Sequence, residues 1–329
     1  MEMLRDELEG IARRLGVRSD VLEKVVRLLD VLRRVHEDEE IREAYALKGG
    51  TALNIYWLPL PRLSVDIDLN FTGDVERDGL AVRRLVFEQH VTRACRLVGC
   101  RVVRSPSKHA GGKFRMRFSS VFGGEQNLEL DISYVARVPL FGLVERRPVL
   151  EGMGESPVRT YTLPELAAGK FIALLSRTVA RDRFDSLRLL ELDPDLLERT
   201  DFRVAFTCSA AASREDARKF ATELPLLDGQ EVRNKLIPVL REAREPRPGD
   251  AVGLANHLAK ELADVPQRLT RWTNEERAFL DSLLDHGELR PELLTADMDL
   301  QARIAAQPML RWKQRNVRDH RGLPPFGSA

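Results

Sequence analysis

The chain has 329 residues, of which 43% are hydrophobic and 31% charged, a balance typical of a folded globular protein of about two domains. Its formal net charge is only +1, so any binding of nucleic acid must rely on a local patch of cations. The three cysteines include no C-x-x-C pair and the six histidines no H-E-x-x-H spacing, which argues against a zinc site or a disulfide framework. Residues 1–10 contain no apolar leader-like stretch and no run is long enough to span a membrane, so we expect a cytoplasmic protein without a membrane partner.

A glycine pair gives the first indication of a site. Residues 20–36 carry apolar side chains at helical spacing and predict a packing helix. After it, Lys48-Gly49-Gly50-Thr51 precedes a short apolar segment. Glycines let a backbone come close to a ligand, and the amides at the start of a following helix can receive a phosphate. The run is therefore a candidate nucleotide-binding loop.

Residues 63–71 alternate strictly between apolar and polar side chains, which predicts a strand with one buried face. Asp66 and Asp68 then share the other face with Ser64 and Asn70. Two neighbouring carboxylates repel each other unless a cation lies between them, and hard oxygen ligands of this kind suit Mg²⁺. The alternative is an edge face with two ordinary surface acids.

A helix predicted over Leu80 to Val98 leads into a basic stretch that has no acidic residue between Arg101 and Gly124. Alternation in Lys113–Phe118 places three cations on one strand face. Such a patch can contact the phosphates of RNA, although it can equally be a solvated strand face. The candidate RNA-binding residues are Arg101, Arg104, Lys113, Arg115 and Arg117, with Lys108 in the same stretch.

A second strand with the same pattern follows a hairpin turn predicted at Gly123-Gly124. In this strand, Glu129 and Asp131 lie on the polar face and leucines on the other. If the strand lies near Asp66 and Asp68, it adds a third acid, which can bind metal or act as base toward an attacking hydroxyl. We favour Asp131 over Glu129 for this role.

A further group of basic residues lies in a helix that is predicted to begin after Thr162 and Pro164. Lys170, Arg177 and Arg181 are spaced seven and four residues apart, so a continuous helix would place them along one stripe. Such a stripe can hold the phosphates of a nucleotide, although basic residues on a helix are more often a solvated face.

Taken together, these motifs resemble the AbiEii and MenT group of nucleotidyltransferase toxins, within the polymerase-beta-like nucleotidyltransferase superfamily. The carboxyl end is also similar to the closing helices of that family, at Trp272-Thr273-x-Glu275-Glu276 and Pro308-x-Leu310-x-Trp312-Lys313. The resemblance rests on Lys48-Gly49-Gly50-Thr51-Ala52-Leu53, Arg62-x-Ser64-x-Asp66-x-Asp68, Asp131, Lys170, Arg177 and Arg181-Asp182-x-x-Asp185.

The resemblance implies an α+β fold: a polymerase-beta-like core with a mixed sheet, followed by a mostly helical carboxyl-terminal lobe. We place the nucleotidyltransferase domain, with its amino-terminal helices, at residues 1–204 and the helical lobe at 205–329. The family implies a toxin of a toxin–antitoxin or abortive-infection system that transfers nucleotides from an NTP to RNA, at the tRNA 3′ end, and so blocks translation. A cognate antitoxin encoded nearby is the implied protein partner.

Residue roles follow from the same resemblance. Asp66, Asp68 and Asp131 are expected to hold Mg²⁺, or Mn²⁺ in its place, with Lys170 and Asp182 completing the catalytic set. Asp182 would orient Lys170 or Arg181. The expected nucleotide-binding residues are Lys48, Gly49, Gly50, Thr51, Arg62, Ser64, Lys170, Arg177 and Arg181.

Two other functions stay open at this point. The acceptor could be a hydroxyl of a protein or a small molecule, which receives the nucleotide or a phosphate. The chain could also be a nucleotide- or antitoxin-binding module that has lost its chemistry, although all the candidate carboxylates and the lysine are present.

Overall fold

The computed structural model describes residues 4–73, 79–105, 111–150, 156–241 and 251–324, and Lys108 lies outside these ranges. They form two compact units that interleave in sequence. The first comprises Met1–Arg137, Leu143–Tyr161 and Asp228–Ala255, and the second Val138–Gly142, Thr162–Leu227 and Asn256–Ala329. These units describe how the chain packs, and the predicted division into domains 1–204 and 205–329 stays a prediction.

The first unit contains one mixed sheet, in the order β3-β4-β5-β2-β1-β7-β6. The β2–β5 and β1–β7 pairs are parallel, and the other neighbours are antiparallel. The strands in the described part of the chain are β1 Tyr45–Lys48, β2 Asp66–Phe71, β3 Arg101–Ser105, β4 Gly111–Ser119, β5 Glu125–Ser133, β6 Leu143–Arg146 and β7 Val158–Tyr161.

Alternation in β4 and β5 matches their burial. Phe114, Met116 and Phe118 of β4 are buried, as are Leu128 and Leu130 of β5, and the cations and acids between them face away from the core. The hairpin predicted at Gly123-Gly124 joins the two strands. The sheet therefore has an apolar face against helices and a polar face that bears the candidate acids.

The strand predicted over residues 63–71 is shorter than the alternation suggests. Strand β2 begins only at Asp66, because Arg62 bridges to Leu240 and the Leu63 amide donates to the Val239 carbonyl at 2.7 Å. Ser64 is also buried, with 4% of its surface exposed. The chain entering the strand is thus held by a segment far away in sequence.

Helices cover most of the remaining described chain. None of them combines the length and the apolar composition that crossing a membrane requires. The α-helices are α1 Arg5–Leu15, α2 Ser19–Glu37, α3 Gly49–Thr51, α4 Leu80–Leu97, α5 Leu163–Ser176, α6 Ala180–Leu192, α7 Thr200–Ala212, α8 Gly229–Glu231, α9 Ala251–Glu261, α10 Val265–Thr270, α11 Asn274–His286, α12 Met298–Ala306 and α13 Pro308–Arg321. The π-helical turns are Ala52–Trp57 and Val232–Leu236, and the 3₁₀ turns are Leu196–Glu198, Ala217–Lys219, Ile237–Val239 and Pro291–Leu293.

One predicted helix is in fact two. Helix α5 ends at Ser176, Arg177 has extended backbone angles (φ −153°, ψ 149°), and α6 begins at Ala180. Lys170, Arg177 and Arg181 therefore do not form one helical stripe, and that prediction is wrong. The break instead turns the chain so that the start of α6 packs against α5.

Aromatic side chains form the core of the second unit. Phe171 of α5 packs edge-on against Phe202 of α7, which stacks on Phe206, and Phe206 stacks on Trp272. Next to Trp272, Thr273 begins α11 with a capping box in which its hydroxyl accepts from the Glu276 amide. The Trp272-Thr273 motif at the carboxyl end thus has a structural role. Together the units have an α+β fold with a mixed sheet, as predicted.

Candidate active site

A row of charged residues crosses the polar face of the central strands. Lys48 of β1 lies opposite Asp68 of β2, and Asp68 lies opposite Asp131 of β5. Asp66 lies opposite Glu129 in the same parallel pair. Because paired residues point to the same face of a sheet, the register brings together the two acids of β2 and those of β5, as the sequence predicts.

Gly49 forms the turn that leads out of this row. It has a positive φ of +70°, a conformation that glycine adopts without steric cost. A Cβ atom placed on Gly49 would overlap the carboxylate of Asp68. The glycine therefore lets the backbone approach the Asp68 carboxylate at the start of α3.

Gly50 lies beside Arg62 and Ser64. A Cβ atom on Gly50 would lie 2.9 Å from an Arg62 guanidinium nitrogen and 3.0 Å from the Ser64 hydroxyl. Arg62 is buried and donates to the Leu63 carbonyl at 2.9 Å, and Thr51 donates its hydroxyl to the Asp66 carbonyl. These side chains fix the loop against β2, and their predicted contact with nucleotide stays a prediction.

We call Asp66, Asp68, Glu129 and Asp131 the acid row, and these carboxylates act on one another electrostatically. Burial raises the pKa of Asp131, and the negative charges of Glu129 and Asp66 raise it further, against Lys113 and Lys48. Burial lowers the pKa of Lys48, although Asp68 and Asp131 oppose the shift. A cation bound beside Asp131 would favour the ionised form of this carboxylate.

The donor set suits a divalent cation that completes its coordination from a ligand. Within the described ranges, no three or more Asp, Glu, His and Cys side chains lie close enough together to hold a metal ion. Mg²⁺ is commonly bound through one or two carboxylates plus substrate phosphates and water, and Asp66, Asp68 and Asp131 supply only oxygen ligands. The residues therefore fit a metal that arrives with a triphosphate.

Lys113 already neutralises part of this row. Its ammonium lies 2.7 Å from the Glu129 carboxylate and 3.8 Å from that of Asp131, so Glu129 is engaged by a protein cation. Asp131, opposite Asp68, is better placed for the third acid, and the geometry favours it over Glu129.

The other predicted RNA-binding cations also have acidic partners. Arg115 lies 4.0 Å from Glu129, and Arg104 pairs with Glu88 at 2.8 Å. Arg101 and Arg117 both face Glu125, at 2.9 and 4.0 Å. The cations of this stretch, which has no acidic residue of its own, are therefore paired with acids of β5 and α4. Its RNA-binding role stays a prediction.

A second cluster lies in the second unit, across the break between α5 and α6. The Lys170 ammonium lies 2.9 Å from both Asp182 and Asp185, and Arg177 donates to Asp182 at 2.7 Å. Both aspartates are buried. Asp182 thus orients Lys170, one of its two predicted partners, while Arg181 lies in the first turn of α6.

Asp185 received no role from the sequence. It lies three residues after Asp182, and residues three apart on a helix share a face, so the spacing of the two acids was the signal available. Asn70 was also missed as a buried polar group, and its side-chain amide donates to the Tyr161 hydroxyl at 2.7 Å.

Solved structures with a similar chain path include two bacterial proteins. JHP933 from Helicobacter pylori has 18% sequence identity and a TM-score of 0.43, over 75% of this chain and 94% of that one. MenT4, the nucleotidyltransferase toxin Rv2826c of Mycobacterium tuberculosis H37Rv, has 15% identity and a TM-score of 0.49, over 91% of this chain and 98% of that one. A comparison with curated proteins gives no match.

Family comparison agrees with the motifs found in the sequence. The model of the family described as "Nucleotidyl transferase AbiEii toxin, Type IV TA system" matches residues 30–293. That range includes the acid row, the glycine turn and the Lys170 cluster. The chain therefore belongs to the AbiEii family of nucleotidyltransferase toxins of type IV toxin–antitoxin systems.

Proposed function

We propose that the protein transfers a nucleotide from an NTP to RNA, at the 3′ end of tRNA, and thereby blocks translation. The observation that carries the proposal is the placement of Asp66, Asp68 and Asp131 on one sheet face beside the glycine turn at Gly49. Membership of a nucleotidyltransferase toxin family supports the transfer reaction.

The acid row supplies the metal ligands in this proposal. Asp66 and Asp68 would hold Mg²⁺, for which Mn²⁺ can substitute, and Asp131 would complete the set. When bound there, the ion would supply positive charge to the triphosphate and to the pyrophosphate leaving group. Asp131 could instead accept the proton of the acceptor hydroxyl.

Phosphate contacts come from backbone and from cations. Gly49 and Gly50 bring main-chain amides to the triphosphate, with Lys48 beside Asp68 and with Thr51, Arg62 and Ser64 lining the loop. Lys170, Arg177 and Arg181 are the further phosphate contacts that we propose, with Asp182 as the positioning residue for Lys170.

An antitoxin is the partner implied by the family, since the toxin is one half of a two-component system. We propose that this antitoxin is the product of an adjacent gene. Co-expression of that product should restore growth of cells that express the toxin.

The direct test is nucleotide incorporation. Purified protein is incubated with Mg²⁺, total RNA and each of the four α-labelled NTPs in turn. We expect label in the tRNA fraction from the wild type and its loss in Asp66→Ala, because the variant lacks a metal ligand. Absence of label in any RNA with all four NTPs would overturn the proposal. Harmless expression together with identical behaviour of wild type and Asp66→Ala would instead favour a binding module.

A second candidate function changes the acceptor to a hydroxyl of a protein or a small molecule. The cross-strand pairing of Lys113, Arg115 and Arg117 favours it, because paired cations bind phosphates less strongly than free ones. Neutralising Arg115 and Arg117 should weaken an RNA reaction and flatten its salt dependence. An unchanged salt slope would favour the small acceptor.

A further inference from the structure

The last helix of the second unit carries a concentration of positive charge that the function above does not use. Helix α13 contains five cations and one carboxylate, Asp319, a net charge of +4 against +1 for the whole chain. The rest of the chain is therefore net negative. A polyanion would therefore meet a net positive charge at this helix.

Two arginines and a tryptophan share its exposed side. Arg311 and Arg315 lie four residues apart and so neighbour each other on the helix surface, and both are exposed. Trp312 lies between them in sequence and exposes 47% of its surface. We call these three residues the α13 patch.

The cations of the α13 patch are available to a ligand. Arg315 makes no side-chain hydrogen bond or ion pair within the part of the chain that the structure describes, although Asp319 follows it by four residues. Arg311 donates only its Nε, to the Ala305 carbonyl at 2.7 Å. By contrast, Arg321 lies 3.4 Å from the Asp285 carboxylate. Among the contacts of the described residues, neither arginine of the α13 patch pairs with a carboxylate.

The opposite side of α13 holds the helix in place. Leu310 and Gln314 are buried, and Gly287, the residue that ends α11, lies directly against α13. A Cβ atom on Gly287 would lie 3.0 Å from the Gln314 carbonyl and would overlap the Arg318 side chain. The patch is therefore displayed on a helix that is already packed, which lowers the entropic cost of binding.

We propose that the α13 patch is a second contact surface for RNA, with the guanidinium groups of Arg311 and Arg315 on phosphates and the indole of Trp312 stacked on an unpaired base. Single-stranded RNA is recognised through this combination of cations and aromatic rings. A membrane surface fits less well, because Trp312 is the one large apolar side chain among the exposed residues of α13. The inference rests on the proposed RNA acceptor and adds a surface to it.

The test measures binding of deacylated bulk tRNA by full-length Asp66→Ala protein, which cannot turn over. Arg311→Ser/Arg315→Ser should weaken binding at least tenfold at 0.1 M salt and reduce the salt slope by about 1.5. Trp312→Ala should weaken binding roughly 5- to 150-fold with the slope unchanged. Trp312→Phe should retain affinity, since its ring still stacks, while the tRNA-induced change in tryptophan fluorescence becomes smaller.

The matched control is Arg5→Ser/Arg13→Ser, which removes the same charge from exposed positions of α1. It should bind tRNA within twofold of the parent, and circular dichroism should show equal helix content for all variants. Equal binding by the α13 and α1 double variants would overturn the inference. Displacement of tRNA by polyglutamate as readily as by unlabelled tRNA would also overturn it, in favour of an acidic protein partner.

Binding and incorporation can fail separately. Loss of tRNA binding in the α13 variants, in a protein that incorporates no nucleotide into RNA, supports the surface and rejects the proposed reaction. Equal RNA labelling by wild type and by Arg311→Ser/Arg315→Ser at subsaturating tRNA leaves the reaction intact and rejects the surface.

Discussion

Gly49 follows the end of β1 and lies against the carboxylate of Asp68. Its positive backbone φ and its lack of a side chain both permit this close approach. A positive φ costs an L-residue roughly 1–2 kcal/mol, and a Cβ atom would displace the Asp68 carboxylate. A metal ligand displaced by about an ångström can cost on the order of 100-fold in rate.

We therefore predict that Gly49→Ala lowers nucleotide incorporation about 100-fold and the free energy of unfolding by roughly 1–2 kcal/mol. The control is Gly10→Ala, where an added Cβ meets nothing within 4 Å and the residue lies inside α1. That variant should be stabilised by roughly 0.5–1 kcal/mol and keep its activity. Incorporation assays and urea unfolding measure both. Full activity in Gly49→Ala would show that the close approach is dispensable.

Lys113 of β4 pairs with two carboxylates of the neighbouring strand β5, those of Glu129 and Asp131. Hydrogen bonding to Glu129 raises the pKa of Lys113, so the lysine is charged at neutral pH. A divalent cation entering the acid row must share these carboxylates with it.

Lys113→Met should therefore bind Mn²⁺ more tightly, by up to roughly fivefold, because a partly exposed ion pair is worth up to about 1 kcal/mol. Calorimetric titration with Mn²⁺ in the absence of nucleotide measures this directly. Arg117→Met is the matched control, since it removes a cation from the same strand face but faces Glu125. Unchanged Mn²⁺ affinity in Lys113→Met would mean that the lysine does not compete with the metal.

At the scale of elements, alternation predicted β4, β5 and their hairpin, because each strand has one buried face and a short turn between neighbours. It did not predict the late start of β2, because Arg62 and Leu63 pair with Leu240 and Val239. Contacts across more than 170 residues leave no local signal. The same holds for Lys113, whose pairing with Glu129 depends on strand register.

Helical spacing also gave a wrong prediction in the segment after Thr162, where tertiary contacts determine how the chain folds. Lys170, Arg177 and Arg181 have the right intervals for one stripe, but the acids that pair with Lys170 lie on a second helix. The break after Ser176 supplies them as Asp182 and Asp185. Residue types were thus predictable here, while their arrangement was not.

The buried cluster gives a prediction about α5 and α6. Lys170→Met removes the cation that the buried Asp182 and Asp185 share, which should lower the free energy of unfolding by roughly 3–5 kcal/mol. Adding Asp185→Asn should recover part of this loss, because it removes one of the two buried carboxylate charges that Lys170 neutralises. Chemical unfolding of both single variants and the double variant gives the coupling energy.

Activity of the same double variant separates structure from chemistry. A stable Lys170→Met/Asp185→Asn protein that incorporates no nucleotide would support a contact between Lys170 and the triphosphate. Recovery of activity along with stability would assign Lys170 a purely structural role.

At the scale of the whole molecule, the short segment Val138–Gly142 belongs to the second unit although both its sequence neighbours belong to the first. Glu165 holds it by accepting the amide of Leu140 at 3.1 Å, and Arg303 donates to the Leu140 carbonyl at 3.2 Å. Burial raises the pKa of Glu165 from 4.5 to about 7, although the backbone hydrogen bonds that it accepts and the positive charge of Arg303 act to lower it.

Because the folded protein binds the Glu165 proton more tightly than the unfolded chain, the contribution of Glu165 to stability falls as pH rises from about 4.5 to about 7 and is constant above that range. Glu165→Gln should remove this component, so the difference in melting temperature between wild type and variant should change across pH 5–8. A constant difference would mean that Glu165 titrates at an ordinary pKa.

The attachment of Leu63 to Val239 has a consequence for the order in which the chain is synthesised. Strand β2 carries two of the three acids, yet the residues that fix its entrance are made more than 170 positions later. A nascent chain that ends before Val239 therefore has Asp66 and Asp68 without the support of their strand's beginning. Any ribosome-bound fragment shorter than this would lack the anchored acid row of the finished protein.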